Sequence, residues 1–151
     1  MYTYAVPQVD RVSFVSLVQT DVLHAEVVHT SQLRARVEQC LHSREPLAIV
    51  QAVSEYLPYL LGLYDCVLRD TILLRDDVHL TWHSMLVSSK FRLHGLLSEV
   101  CLMHMLYASS LRAEAATIVE ALGAYELGAH DRKACDDRLR VAINLLCRAS
   151  G

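Results

Sequence analysis

The chain has 151 residues, of which 53% are apolar or aromatic, and a formal net charge of −3. This length supplies one domain, 1–151, with a hydrophobic core, and is too short for two ordinary domains. The 14 lysines and arginines are scattered among 17 acidic residues rather than clustered, so we do not expect nucleic acid as a partner.

The five cysteines are odd in number and widely spaced, which indicates free thiols in a reducing compartment. The N-terminus lacks the basic and apolar segments of a secretory signal. The longest charge-free stretch, 100–111, is shorter than the roughly 20 residues that a membrane-spanning helix needs. These features predict a cytoplasmic protein without a transmembrane segment.

Residues 1–18 are rich in β-forming side chains around Pro7, and they predict a short extended lead-in. The spacing of apolar residues then changes to three and four. This change predicts a first helix from about Asp21 to Leu41, with Asp21 in the first turn, where the helix dipole favours an acid, and with a candidate break near Thr30 and Ser31.

A second helix is predicted to begin at Ser43, because serine can cap the free amides and Pro46 is tolerated in a first turn. Its apolar stripe continues to Val67 past Pro58, so we expect a kink there rather than an end. A loop follows over residues 69–77. The loop residues predicted to point inward are Ile72, Leu73 and Leu74.

The segment Val78–Trp82 is predicted to be extended, and it carries the only tryptophan of the chain. An apolar pattern at helical spacing follows from Leu93 to Leu122, which predicts a helix of about 30 residues and about 45 Å. A helix of this length needs neighbours along its whole length. We therefore expect Trp82 to be buried against it.

The glycines at 123 and 128 and the charged run at 130–133 predict a solvated turn over residues 123–135. The last helix is predicted to begin at Asp136 or Asp137. Its apolar residues surround more of the helix than one neighbour can cover, so we expect exposed apolar surface and self-association if nothing further covers it.

Two sets of residues are candidates for a chemical site. His79, His83, Cys101 and His104 could form a four-ligand zinc site, but in an extended segment His79 and His83 would lie about 13 Å apart. Cys101 with His104 and Glu99 could form a thiol site, but Glu99 falls on another helix face. We expect no metal, no cofactor and no enzymatic activity, with Cys101 packed in the core.

For Glu99 the sequence leaves two interpretations open, a surface acid or an anchor for the loop after Trp82.

Five short motifs, taken in order and spacing, resemble the Bro domain of the Bro-one or ALIX-type endosomal-sorting family. The similarity covers nearly the whole chain and is greatest to plant-type single-domain members. The motifs are Glu55–Leu63, Leu80–Trp82, Ser98–Leu102, Tyr107–Ala115 and Cys147–Gly151.

The resemblance implies an all-α, boomerang-shaped antiparallel scaffold with a tetratricopeptide-like layout, in a truncated or divergent N-terminal half of the family's domain. It also implies that the chain binds the C-terminal amphipathic helix of an ESCRT-III subunit and is recruited from the cytoplasm to endosomes. Family members form most of that groove from helices that come after the position of Gly151.

The resemblance places Asp136 where the family has an acid facing the bound helix, and Arg140 where it has a basic residue. Residues four apart share a helix face, and Ile143 completes the candidate partner-binding set. The alternative is that Asp136 is an N-cap with an intrahelical ion pair. At the level of function, the alternatives are a generic helical adaptor fragment and, further off, a metal or thiol enzyme.

Overall fold

A computed structural model describes residues 6–19, 22–75, 78–83, 89–123 and 132–150. Long helices dominate the described residues, which confirms the all-α class, and three short strands add a small antiparallel sheet in the order β1-β2-β3. The elements are β1 (Gln8–Val9), α1 (Phe14–Leu17), α2 (His24–Ser43), α3 (Pro46–Leu68), β2 (His79–His83), β3 (Lys90–His94), α4 (Leu96–Gly123) and α5 (Arg132–Ser150).

Each long helix packs mainly against the helices that neighbour it in the chain, α2 on α3, α3 on α4 and α4 on α5. An ion pair between Arg36 and Glu55 links α2 to α3. Both residues lie about two to three turns from the short connection between these helices, so α2 and α3 run antiparallel. The layout is that of a layered helical scaffold.

The α2 helix runs without interruption through Thr30 and Ser31, so the predicted break is wrong. Both hydroxyls donate hydrogen bonds to carbonyls one turn earlier, at 2.7 and 3.0 Å, and this satisfies them inside the helix. The predicted start at Asp21 lies outside the described residues. The helix begins at His24, after Leu23 in the left-handed region with φ 57°.

Ser43 is the last residue of α2 and does not cap α3. Its hydroxyl donates to the Cys40 carbonyl at 2.8 Å, and Glu45 occupies the cap position without a side-chain hydrogen bond. Pro46 is the first residue of α3, as its fixed φ favours. The helix continues through Pro58, as the apolar stripe predicts.

Among the described helices, α3 alone is long and apolar enough to cross a membrane, with a mean hydropathy of 1.2. The core helix of a soluble protein has the same properties, and α3 packs between α2 and α4 with Ile49, Val53 and Leu60 fully buried. The absence of a transmembrane segment stays a prediction.

The lead-in is extended only in part, since α1 is a helical turn within it. Phe14 is completely buried, and its N–H donates to the Ser31 hydroxyl at 2.9 Å. This contact with α2 is long-range, so the local β-forming composition could not indicate it. Residues 1–5 lie outside the described part of the chain.

The loop after α3 is held by short extended pairing with residues 17–19. The Arg75 N–H donates to the Leu17 carbonyl at 2.7 Å, and Val18 and Leu74 form an isolated β-bridge. Successive side chains in an extended segment point to opposite sides. Ile72 is therefore buried, as predicted, whereas Leu73 is 48% exposed and the prediction for it is wrong.

The long helix is confirmed, with 28 residues, but it begins at Leu96 rather than Leu93. Leu93 belongs to β3, where it pairs with Leu80 of β2. Gly95, with φ 78°, separates the strand from the helix. The apolar spacing of residue 93 fits the helix, but the pairing of β3 with β2 decides its conformation.

Two groups of buried residues form the core. The main group extends from Val6 to Leu106 and takes in the sheet, α1, α2, α3 and the first half of α4. A smaller group joins α5 to the rest of the scaffold through Val50, Leu111, Ala115, Ala142 and Leu145. The last helix is therefore held by a separate and smaller core.

Trp82 is buried with 3% exposure, which confirms the prediction for it. We expect Trp82→Ala to lower the free energy of unfolding by about 3–5 kcal/mol, because it leaves a large cavity. Urea unfolding followed by far-UV circular dichroism measures this loss. The control is Phe91→Ala. Phe91 pairs with Trp82 across β2 and β3, but its side chain is 49% exposed, so its truncation should cost less. Equal losses in the two variants would contradict this prediction.

Candidate partner-binding surface

The α5 helix uses one narrow face to contact α4. Ala142 and Leu145 are buried against Leu111 and Ala115, and the guanidinium of Arg148 donates a 2.5 Å hydrogen bond to the hydroxyl of Tyr107. The rest of α5 is largely exposed. The helix is therefore attached on one side and open on the other.

Asp136, Arg140 and Ile143 lie together on the open side of α5. All three are exposed, and their spacing of four and three residues places them on one face, as predicted. Arg140 makes its ion pair with Asp137, at 3.7 Å, rather than with Asp136. Because both side chains of that pair are more than half exposed, it contributes little to stability.

The interpretation of Asp136 as an N-cap is wrong, because α5 begins at Arg132 and Asp136 lies in its second turn. Residues 124–131 of the predicted turn over 123–135 lie outside the described residues, and the charged run at 130–133 is typical of such a turn. Arginine, lysine and alanine are also good helix formers, however, and residues 132–135 join the helix.

Apolar side chains line the open side of α5. Leu139, Ile143 and Leu146, spaced four and three apart, are 45%, 50% and 45% exposed, and we call them the outer stripe. Leu146 also lines a shallow groove with Ala116 and Val119 of α4. The predicted exposure of apolar surface on the last helix is confirmed.

A buried polar cluster connects α2, β2 and α4. Glu99 of α4 is completely buried, and it accepts hydrogen bonds from Arg34 Nε at 2.9 Å and Trp82 Nε1 at 3.1 Å. Arg34 Nη1 also donates to the Asp10 carbonyl at 3.0 Å. The interpretation of Glu99 as a surface acid is therefore wrong. Glu99 anchors the indole of Trp82, whereas the loop over residues 84–88, for which the sequence offered Glu99 as an anchor, lies outside the described residues.

Arg34 is a cluster residue that the sequence analysis did not single out, although the apolar pattern of α2 contains a signal for it. Arg34 lies at helical spacing within the buried stripe of α2, between Thr30 and Val37. A charged residue inside an apolar stripe needs a buried partner of opposite charge. That partner, Glu99, lies 65 residues away, so its identity could not be read from local spacing.

Tyr56 of α3 completes this cluster. Burial raises the pKa of its phenol well above 10.0, and the negative charge of Glu99 raises it further. Arg34 acts in the opposite direction but does not outweigh these two effects. The phenol therefore stays protonated in the folded protein at pH values where a free tyrosine ionises.

The candidate metal and thiol residues do not converge on one site in the structure. His83 pairs with Asp10 at 3.0 Å, and His104 Nδ1 lies 2.8 Å from the Val100 carbonyl of its own helix. Cys101 is exposed, so the prediction that it packs in the core is wrong. Within the part of the chain that the structure describes, no three potential ligands lie close enough to hold a metal ion.

The chain is 27% identical over 175 residues to the pH-response regulator protein palC of Cryptococcus neoformans. The match covers 99% of this chain and 36% of that protein, so the chain spans about a third of its relative. No family model matches the chain. No solved structure matches it either.

The pKa of Tyr56 predicts how stability depends on pH. The tyrosine of the unfolded chain ionises near pH 10, whereas the buried tyrosine of the folded chain resists ionisation. The free energy of unfolding should therefore keep its full value below pH 10 and fall as the pH rises above 10. We expect this loss, up to about 1.4 kcal/mol per pH unit, to be absent in Tyr56→Phe.

Urea unfolding between pH 8.5 and 11.5 measures this difference. Tyr59→Phe, which changes a tyrosine of the same helix that is 44% exposed, is the control and should follow the parent. Parallel curves for the parent and Tyr56→Phe would contradict the assignment.

Proposed function

We propose that this chain is a non-enzymatic protein-interaction scaffold of the Bro type. It presents the open side of α5 to the amphipathic helix of an ESCRT-III-type protein in endosomal sorting. In this proposal the protein is located in the cytoplasm, and binding to its partner recruits it to endosomes. The motif resemblance and the similarity to a pH-response regulator support this proposal, and the same similarity suggests a role in a pH-response pathway.

The observation that carries the proposal is the outer stripe. Three half-exposed apolar side chains at helical spacing form a continuous ridge on α5. Amphipathic helices bind such surfaces with anchor residues spaced three and four apart. The shallow groove of Ala116, Val119 and Leu146 between α4 and α5 continues this ridge and supplies a place for the side chains of a bound helix.

The charged residues beside the stripe can set the orientation of the bound helix. Asp136 and Arg140 lie one turn apart along the same face as Ile143. Asp136 and Arg140 would complement a bound helix that places a basic residue opposite Asp136 and an acidic residue opposite Arg140. Exposed charge pairs add little affinity but do select the partner and its direction.

Fluorescence anisotropy with a labelled peptide of an ESCRT-III C-terminal amphipathic helix tests the proposal. We expect Ile143→Asp to weaken binding at least tenfold, because it places a charge in the apolar contact, which is about 1.4 kcal/mol. Asp136→Ala should weaken binding about fivefold, or about 1 kcal/mol. Far-UV circular dichroism should show unchanged helicity in both variants.

The matched control is Val141→Asp, because Val141 is also 50% exposed but lies on a different face of α5. It should bind like the parent. Equal affinities of the parent and Ile143→Asp would exclude the outer stripe as the binding surface.

The second candidate is a generic helical adaptor whose partner is not an ESCRT-III subunit. The exposed apolar surface of α5 supports this second candidate equally well, because such a surface indicates that a partner binds but not which partner. The same titration separates the two, since this candidate predicts that the parent chain does not bind the ESCRT-III peptide at all.

The outer stripe also predicts self-association of the purified chain. Apolar patches larger than a few hundred Å² are typical of interaction or aggregation surfaces. We expect the light-scattering mass to rise with concentration for the parent, and less so for Ile143→Asp. A monomer over a wide concentration range would contradict this expectation.

A further inference from the structure

A half-enclosed apolar cavity of about 200 Å³ lies between α2 and α3. Leu23 and Val27 form its wall on the α2 side, and Tyr59, Gly62 and Leu63 form its wall on the α3 side. These α3 residues belong to one helix face, because they are three and four positions apart. The cavity shares no lining residue with the α4/α5 groove.

Neither a close contact nor a positive φ requires glycine at position 62. It lies inside α3, where glycine stabilises a helix less than alanine does. A Cβ atom built at this position would meet no other atom within 4 Å, so close packing does not require glycine. What its missing side chain does provide is open space at the wall of the cavity.

Leu23 and Tyr59 form the exposed part of the cavity wall. Leu23 has φ 57°, a conformation that is costly for a residue with a Cβ, and its side chain lines the cavity while 38% exposed. Tyr59 is 44% exposed, and its ring meets that of His29 edge to face at 4.7 Å. The contact holds an exposed aromatic ring at the cavity.

The charge at the cavity is negative. Glu26 is the one charged residue among those that line it, and it is exposed. Within the described part of the chain, Glu26 forms no ion pair. A basic group on a ligand in the cavity would find this carboxylate available.

We propose that this cavity, which we call the α2/α3 pocket, binds one leucine-sized or phenylalanine-sized side chain of a partner peptide that carries lysine or arginine beside it. Its volume lies below the roughly 300–1,000 Å³ of small-molecule sites, which favours a single side chain. Burial of the ligand's apolar side chain against the apolar walls of the pocket drives binding. Glu26 selects a basic neighbour over an acidic one. This inference does not depend on the function proposed for α5.

Three synthetic peptides test the proposal by NMR titration of the ¹⁵N-labelled full chain. They are acetylated and amidated Ala-Leu-Lys-Lys-Ala, Ala-Leu-Glu-Glu-Ala and Ala-Ala-Lys-Lys-Ala. We expect the first to shift the amide signals of Leu23, Tyr59 and Gly62 and to bind at least tenfold tighter than the other two. The absence of shifts at these amides at millimolar peptide would overturn the proposal.

Two variants separate the pocket from other surfaces. Gly62→Leu fills the pocket, so binding should fall at least tenfold while the melting temperature does not fall. Glu26→Lys should reverse the preference in favour of the acidic peptide. The control, Ser54→Leu, adds the same side chain to an exposed position of α3 outside the pocket and should bind like the parent.

Unchanged binding by folded Gly62→Leu would overturn the proposal. If that variant fails to fold, an unchanged charge preference in Glu26→Lys would do the same, and a reversed preference would support it.

Discussion

The buried ion pair between Arg34 and Glu99 is the interaction on which the scaffold depends. It joins α2 to α4 across 65 residues of sequence, takes the Trp82 indole of β2 as a second donor to Glu99, and reaches the Asp10 carbonyl beside β1. A buried charge that loses its partner typically costs about 3–5 kcal/mol, so these residues must come together for the fold to form. The pair thereby fixes where the sheet sits on the helices.

This constraint acts on the main core and leaves α5 outside it. The small buried group around Ala142 and Leu145 holds α5 on α4, together with the exposed hydrogen bond from Arg148 to Tyr107. Such an arrangement separates two roles within one chain. The charged cluster links α2, β2 and α4 in the first part of the chain, and the last helix carries the outer stripe, where apolar residues remain half exposed.

The two proposed binding surfaces differ in their physics. The outer stripe is a convex ridge suited to the face of an amphipathic helix, whereas the α2/α3 pocket is a concavity suited to one anchor side chain. They lie on different helices, so one scaffold could hold two segments of a partner at once. Linked weak contacts of this kind reinforce each other through effective concentration. Interaction scaffolds work in this way without any catalytic group.

By itself, the sequence determined the helical class, the long α4 helix and the shared face of Asp136, Arg140 and Ile143, because these follow from spacing along single helices. It also determined the burial of Trp82, because a large aromatic side chain next to a long apolar helix is expected to pack against it. Only the tertiary structure decided that Glu99 is buried, that Leu73 and Cys101 are exposed, and that Leu93 belongs to a strand. Periodicity defines an apolar face, but it does not say which distant element covers that face. Long-range packing supplies the partner, and with it the burial of each side chain.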